Sequence, residues 1–205
     1  MSPEFAKIVD PLFCRLLDLT ENTNRWSLAE LKSQLMKAID DVTNQLGNTQ
    51  DWIMARYAIV AWVDSEIISR LPAWKDNTLE ATYFRSGVAH SRFFEGAVKA
   101  TERKLVDACE CFLLCFMFGF RGVYGDNDPA KIPPEWPRSE EEWQRQVGGF
   151  VQSMRTKPDI KWHSVRRQFA DPVSLTGRSY LQTMWLFFGA FLVVGGAMAA
   201  FKLLS

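Results

Sequence analysis

From Pro3 the apolar positions Phe5, Ile8, Val9, Leu12, Phe13, Leu16 and Leu17 recur at intervals of three and four, which marks one buried helical face. The pattern predicts a first helix to about Leu19, a polar turn over residues 20–25, and a second helix opened by Ser27 and Glu30 at capping-box spacing. That helix carries Leu28, Leu31, Leu35, Ile39, Val42 and Leu46, and should stop at Gly47-Asn48. A third helix is predicted over residues 51–71. It is apolar on nearly all sides between Trp52 and Val63, so it should be central. Two shorter helices are expected over 74–84 and 91–100, and a second central helix over 104–122, whose run 111–120 is uninterrupted apolar or glycine. After an aperiodic loop rich in proline, Ser139 and Glu142 open a last helix predicted to end near Gly148-Gly149. No alternating pattern lasts long enough for a sheet and no repeat is visible, so the expected fold is all-α, with two small bundles sharing a core.

Residues 179–201 contain no charge, and as a helix rising about 1.5 Å per residue they would extend roughly 34 Å, enough to cross a bilayer core of about 30 Å with some tilt. Arg155, Lys157, Lys161, Arg166, Arg167 and Arg178 precede the stretch against only Asp159 and Asp171, so the positive-inside rule keeps the long N-terminal part in the cytoplasm. Residues 5–19 are broken by Asp10, Pro11, Arg15 and Asp18 and do not read as a signal peptide. The expectation is a tail-anchored chain in three parts: a helical domain over 1–153, a basic linker over 154–178 and a membrane anchor over 179–203.

The formal charge of zero provides no basic footprint for nucleic acid and turns attention to protein partners. Cys14, Cys109, Cys111 and Cys115 lie in apolar runs and read as reduced core thiols, since their spacing does not converge on a metal ion. The sharpest catalytic arrangement would pair Asp64 with Glu66. Two residues apart on a helix they point in roughly opposite directions, so they read as surface or interface charges, and neither catalysis nor a cofactor is expected. His90 and His163 stand in separate polar stretches with no nucleophile motif. Two features favour binding. Tyr124 and Trp136, beside loops, are candidate anchors for a protein partner. Gly195 with Ala199, and Gly196 with Ala200, have the small-residue spacing that lets membrane helices approach, with Gly189 one heptad earlier; a homodimer through this face is the corresponding expectation.

The stretch Ala55-Arg56-Tyr57-Ala58-Ile59-Val60-Ala61-Trp62-Val63-Asp64 resembles the tyrosine-alanine and acidic helix of the DotU/TssL/IcmH family, inner-membrane subunits of type VI and type IVb secretion systems. Asn77-Thr78-Leu79-Glu80 with Tyr83-Phe84, Arg92-Phe93-Phe94-Glu95, and the run from Cys115 to Tyr124 are similar to three further family motifs in the same order. The resemblance implies two packed three-helix bundles, a non-enzymatic scaffold role, an IcmF/TssM-like membrane partner and contacts with cytoplasmic baseplate proteins. Asp64, Glu66, Gly119, Phe120, Gly122 and Tyr124 are the implied partner-binding residues. The family's adjacent acidic pair is here Asp64-Ser65-Glu66, so only Asp64 carries over directly. With the sequence ending at Ser205, no peptidoglycan-binding domain is expected beyond the span. The neighbouring expectations are the equivalent type IVb subunit and, in a different class, a membrane-tethered hydrolase.

Overall fold

The computed structural model describes residues 1–125, 132–134 and 136–155. Among these residues the chain is helical, without strands. α1 (Pro3–Glu21) begins with Pro3 in its first turn and tolerates Pro11 on its exposed side, where water can take the carbonyl that proline leaves unpaired. α2 (Leu28–Leu46) opens on the expected capping box: Ser27 Oγ accepts from the Glu30 N–H at 3.3 Å, and Glu30 Oε2 accepts from the Ser27 N–H at 3.0 Å. Gly47, at φ +60°, ends it. α3 (Gln50–Arg70) buries residues on every side, from Trp52 to Ile67.

Three expected boundaries are corrected. The helix predicted over 74–84 is a 3-10 segment (Pro72–Asn77) followed by a short α4 (Leu79–Phe84), because Thr78 caps a new helix and accepts from the Ala81 N–H. After α5 (Ala89–Glu102), α6 (Val106–Met117) stops well short of Gly122, since Gly119 turns the chain at φ +114° and a 3-10 turn (Gly122–Tyr124) follows. α7 (Glu140–Arg155) passes through Gly148-Gly149 and takes in Met154 and Arg155, which were expected in the linker. Each interior glycine costs about 1 kcal/mol relative to alanine. Trp143, Val147 and Val151, one helical turn apart, continue a buried face past them and offset that cost.

α3 and α6 pack directly on one another, and α1, α2, α5 and α7 surround them around one continuous core. The helices sort into two ends. At the first, Trp52 Nε1 donates to Thr43 Oγ1 at 3.0 Å, Asp51 Oδ1 accepts from the Ala108 N–H at 3.1 Å, and Arg103 Nη1 donates to Gln50 Oε1 at 3.4 Å. Asp107 accepts from Ser2 Oγ at 2.6 Å and from Arg155 Nη2 at 2.9 Å, while the Met1 amine and Arg155 both pair with Glu110. The starts of α1, α3 and α6 and the ends of α2, α5 and α7 therefore meet there, and the chain leaves toward residue 156 from this end. At the other, Arg70 Nη1 donates to the Thr20 carbonyl at 3.1 Å and Arg121 pairs with Glu140 at 3.3 Å.

Cys109, Cys111 and Cys115 are buried, whereas Cys14, also expected inside, is exposed on α1. Burial pushes the Cys109 thiol up to about 12 and raises Cys111 and Cys115 as well. The native chain should therefore present one thiol to a disulfide-exchange reagent, and all four only after denaturation. A second fast equivalent in a stopped-flow titration would contradict this packing.

No helix among the described residues is long and apolar enough to cross a membrane. The expected span over 179–201, its packing residues Gly189, Gly195, Gly196, Ala199 and Ala200, and His163 lie outside the described residues.

Candidate functional site

The end of the domain opposite Arg155 contains a cleft of about 520 Å³ lined by the second half of α3, the link between α4 and α5, and the turn after α6. Its floor is set by Asp64, which is 4% exposed. Asp64 Oδ1 accepts from Trp74 Nε1 at 2.7 Å and from the Leu79 N–H at 2.8 Å, and Oδ2 accepts from the Glu80 N–H at 2.7 Å. The carboxylate thus holds the start of α4 against α3. Burial pushes the Asp64 carboxyl above the ordinary range, while its three N–H donors pull the other way. Glu80, 5% exposed, extends the clamp: Oε1 accepts from Tyr57 Oη at 2.7 Å and Oε2 from the Ala89 N–H at 3.2 Å, which fixes the first turn of α5. Burial raises the Tyr57 phenol, and the adjoining Glu80 carboxylate adds to the shift.

Asp64 is therefore not the surface or interface charge expected from its place in the sequence. Its partners lie ten to sixteen residues away, a distance at which local helical geometry has no say. Glu66 does face the cleft side. It is half-buried, pairs with Arg70 at 3.5 Å, and sits where a side chain on Gly119 would meet its Oε1 at 2.9 Å. Gly122, at φ +49°, passes so close to α5 that a Cβ would lie 2.6 Å from the His90 carbonyl oxygen and 2.8 Å from a Phe94 ring carbon.

Phe120 and Tyr124, two more expected contact residues, are 2% and 7% exposed. Phe120 packs 4.2 Å from Phe93 and 6.1 Å from Phe94 between ring centroids. Tyr124 stands edge-on to Phe94 at 4.9 Å and donates its hydroxyl to the Pro137 carbonyl at 2.8 Å. Tyr124 is a core residue behind the cleft wall, which corrects its placement as an anchor for a partner, whereas Phe120, implied as a partner contact, reaches the cleft wall with only the 2% that it exposes. Trp136 is half-buried against Phe94. Arg121 is turned inward too, donating through Nη1 to the carbonyls of Phe116 and Phe120 at 2.6 and 3.1 Å. The structure thus lines the cleft with Asp64, Gly119, Phe120 and Gly122, puts Glu66 beside its Gly119 edge, and buries Tyr124 behind it. Sequence reasoning missed the structural roles of Trp74 and Glu80; the Thr78 cap just ahead of Glu80 was the one local sign that a helix restarts there.

Among the described residues no group of three or more histidine, cysteine or acidic side chains could hold a metal ion, and the buried carboxylates spend their oxygens on N–H and O–H donors. The fold and cleft define a helical domain with a glycine-edged recess. The chain belongs to the DotU family: residues 4–204 match the family described as type VI secretion system protein DotU. It is accordingly a type VI secretion system component. No curated protein and no solved structure matches the chain.

Proposed function

We propose that the protein is a non-enzymatic scaffold subunit of the type VI secretion membrane complex, fixed in the inner membrane by a helix over 179–201 with its helical domain in the cytoplasm. The observation that carries the reading is the family match, which extends from residue 4 to residue 204 and so takes in both the helical domain and the apolar tail. In this reading an IcmF/TssM-like inner-membrane protein is the partner at the bilayer. The cleft, at the end of the domain away from Arg155, offers the glycine-edged turn at Gly119 and Gly122, with Glu66 beside Gly119, to cytoplasmic baseplate proteins. Small residues Gly189, Gly195, Gly196, Ala199 and Ala200 supply a face for close helix packing within the membrane.

The test is affinity purification of the tagged full chain from native membranes, comparing wild type with Glu66→Lys. The pair with Arg70 is partly exposed and worth about 1 kcal/mol, so the variant should keep its fold, which the ellipticity at 222 nm checks. Baseplate components should fall by about tenfold, equivalent to about 1.4 kcal/mol of docking energy, while the large membrane partner is retained. Undiminished baseplate recovery from Glu66→Lys would remove the cleft from the docking surface. A wild-type chain that brings neither class of partner would end the scaffold reading.

A further inference from the structure

A second surface, built from residues that do not line the cleft, lies where α3, α4 and α5 meet. Tyr57 on α3 and Phe84 on α4 stand edge to face with ring centroids 4.9 Å apart, and Tyr83 continues the row 6.2 Å from Phe84. Guanidinium groups close both ends of this row. Arg92 lies 5.0 Å from the centre of the Tyr57 ring, and Arg56 lies 5.6 Å from Phe84 and 5.7 Å from Tyr83. Arg85, directly after Phe84, is exposed and ends α4 at φ +50° and ψ 41°, a left-handed position that glycine or asparagine usually takes. Among the described residues no carboxylate stands within ion-pair distance of Arg56, Arg85 or Arg92, and the buried Nε of Arg56 has no acceptor. Three acids and one further cation lie around them. Asp40 accepts from the Tyr83 hydroxyl at 2.9 Å, Glu80 is 5% exposed and turned to Tyr57 and the Ala89 N–H, and Glu95 pairs with Lys99 at 4.0 Å. With Glu95 and Lys99 cancelling, three arginines face two carboxylates. At the solvent edge the balance is clearer, since Arg85 and Arg92 are exposed while Asp40 is half-buried and Glu80 buried.

We propose that this arginine and aromatic patch docks an acidic segment of a protein partner, whose aspartate or glutamate side chains pair with Arg85 and Arg92 while an apolar residue between them lies on Phe84. A guanidinium held against a ring face keeps its plane fixed and its N–H edge open, and that fork matches both oxygens of a carboxylate. Arginine and aromatic side chains are also the types that concentrate at the centres of protein interfaces. Nucleic acid fits less well, because a phosphate backbone needs an extended basic track and the chain as a whole carries no net charge. The patch is separate from the cleft, so its role stands or falls independently of docking there.

The test uses the full chain in mild detergent at about 0.15 M NaCl and the fluorescence anisotropy of two labelled peptides, one a repeat of glutamate, leucine and serine and the other with glutamine in place of glutamate. The glutamate peptide should bind about tenfold tighter than its glutamine counterpart. Arg85→Gln with Arg92→Gln should remove that advantage, whereas Arg25→Gln with Arg145→Gln, which takes the same charge from exposed positions elsewhere, should leave it intact. Arg85→Asn guards against a misfolded double variant, since asparagine tolerates the left-handed backbone; it should keep its helical ellipticity and still weaken the glutamate peptide about threefold. Equal affinity for the two peptides would overturn the proposal, as would equal losses in the two double variants. Displacement by oligothymidylate at lower concentration than by unlabelled glutamate peptide would assign the patch to nucleic acid instead. A patch variant that changes only the oligomeric state in sedimentation, with peptide binding unchanged, would assign it to a second copy of the chain and overturn the proposal equally.

Discussion

Replacing Asp64 with alanine is expected to lower the stability of the helical domain by about 3–5 kcal/mol, the largest effect of any single polar substitution in it. The change leaves the indole N–H of Trp74 and the backbone N–H groups of Leu79 and Glu80 without their acceptor in a place water does not reach. Each stranded buried donor costs about 1–3 kcal/mol, reduced where the site can relax. For a domain of this size that corresponds to a fall of roughly 10–15 °C in Tm, read from the loss of ellipticity at 222 nm on heating, a wavelength that reports helix. Asp64→Asn retains one acceptor oxygen and should lose less than half as much. A Tm for Asp64→Ala within about 3 °C of the parent would show that the carboxylate does not hold α4 in place.

The same chemistry changes how substitutions at this position are interpreted. A variant that puts lysine at position 64 would lose partners, but through collapse of the corner formed by α3, α4 and α5. Glu66, which pairs with Arg70 and stands beside the Gly119 edge of the cleft, is the acidic position whose substitution tests the proposed docking without removing a buried acceptor. The two carboxylates lie two residues apart in sequence, yet one builds the recess and the other stands at its Gly119 edge.

Where a structural cause was local, the sequence showed it. Ser27, Glu30 and Gly47 bound α2 through contacts spanning three or four residues, and the structure keeps those limits. The central positions of α3 and α6 were legible for a different reason: a helix apolar on all sides has no face to give to water. Hydrophobicity reports burial, however, and says little about backbone path. Phe116, Phe120 and Tyr124 are all buried, but α6 ends between the first two, because Gly119 takes a left-handed conformation inside a continuous apolar run. In α7 the error ran the other way: paired glycines suggested an end, while the buried face through Val147 and Val151 carried the helix on. Asp64 was least legible. Its family resemblance marked the position, but the direction of its side chain is decided by Trp74, Leu79 and Glu80, which only the folded chain assembles.

Gly122→Ala is expected to cost about 2–4 kcal/mol, a second large effect arising from backbone rather than polar chemistry. At φ +49° any side chain pays roughly 1 kcal/mol, and here the new Cβ would also stand 2.6 Å from the His90 carbonyl oxygen. That oxygen belongs to the first turn of α5, whose Ala89 N–H is held by Glu80, so relief requires moving an element tied to the Asp64 corner. Gly47 supplies the comparison. Its φ of +60° comes with ψ of −150°, a conformation essentially restricted to glycine, but nothing lies within 4 Å of its virtual Cβ, so Gly47→Ala should cost backbone strain without a clash, about 1–3 kcal/mol. Because a shifted α5 start also reshapes the cleft wall, Gly122→Ala should reduce baseplate recovery, whereas Gly47→Ala, at the far end, should leave it intact. A cost for Gly122→Ala of no more than about 1 kcal/mol would mean that α5 yields freely at His90, and that the recess is not the rigid surface that docking requires.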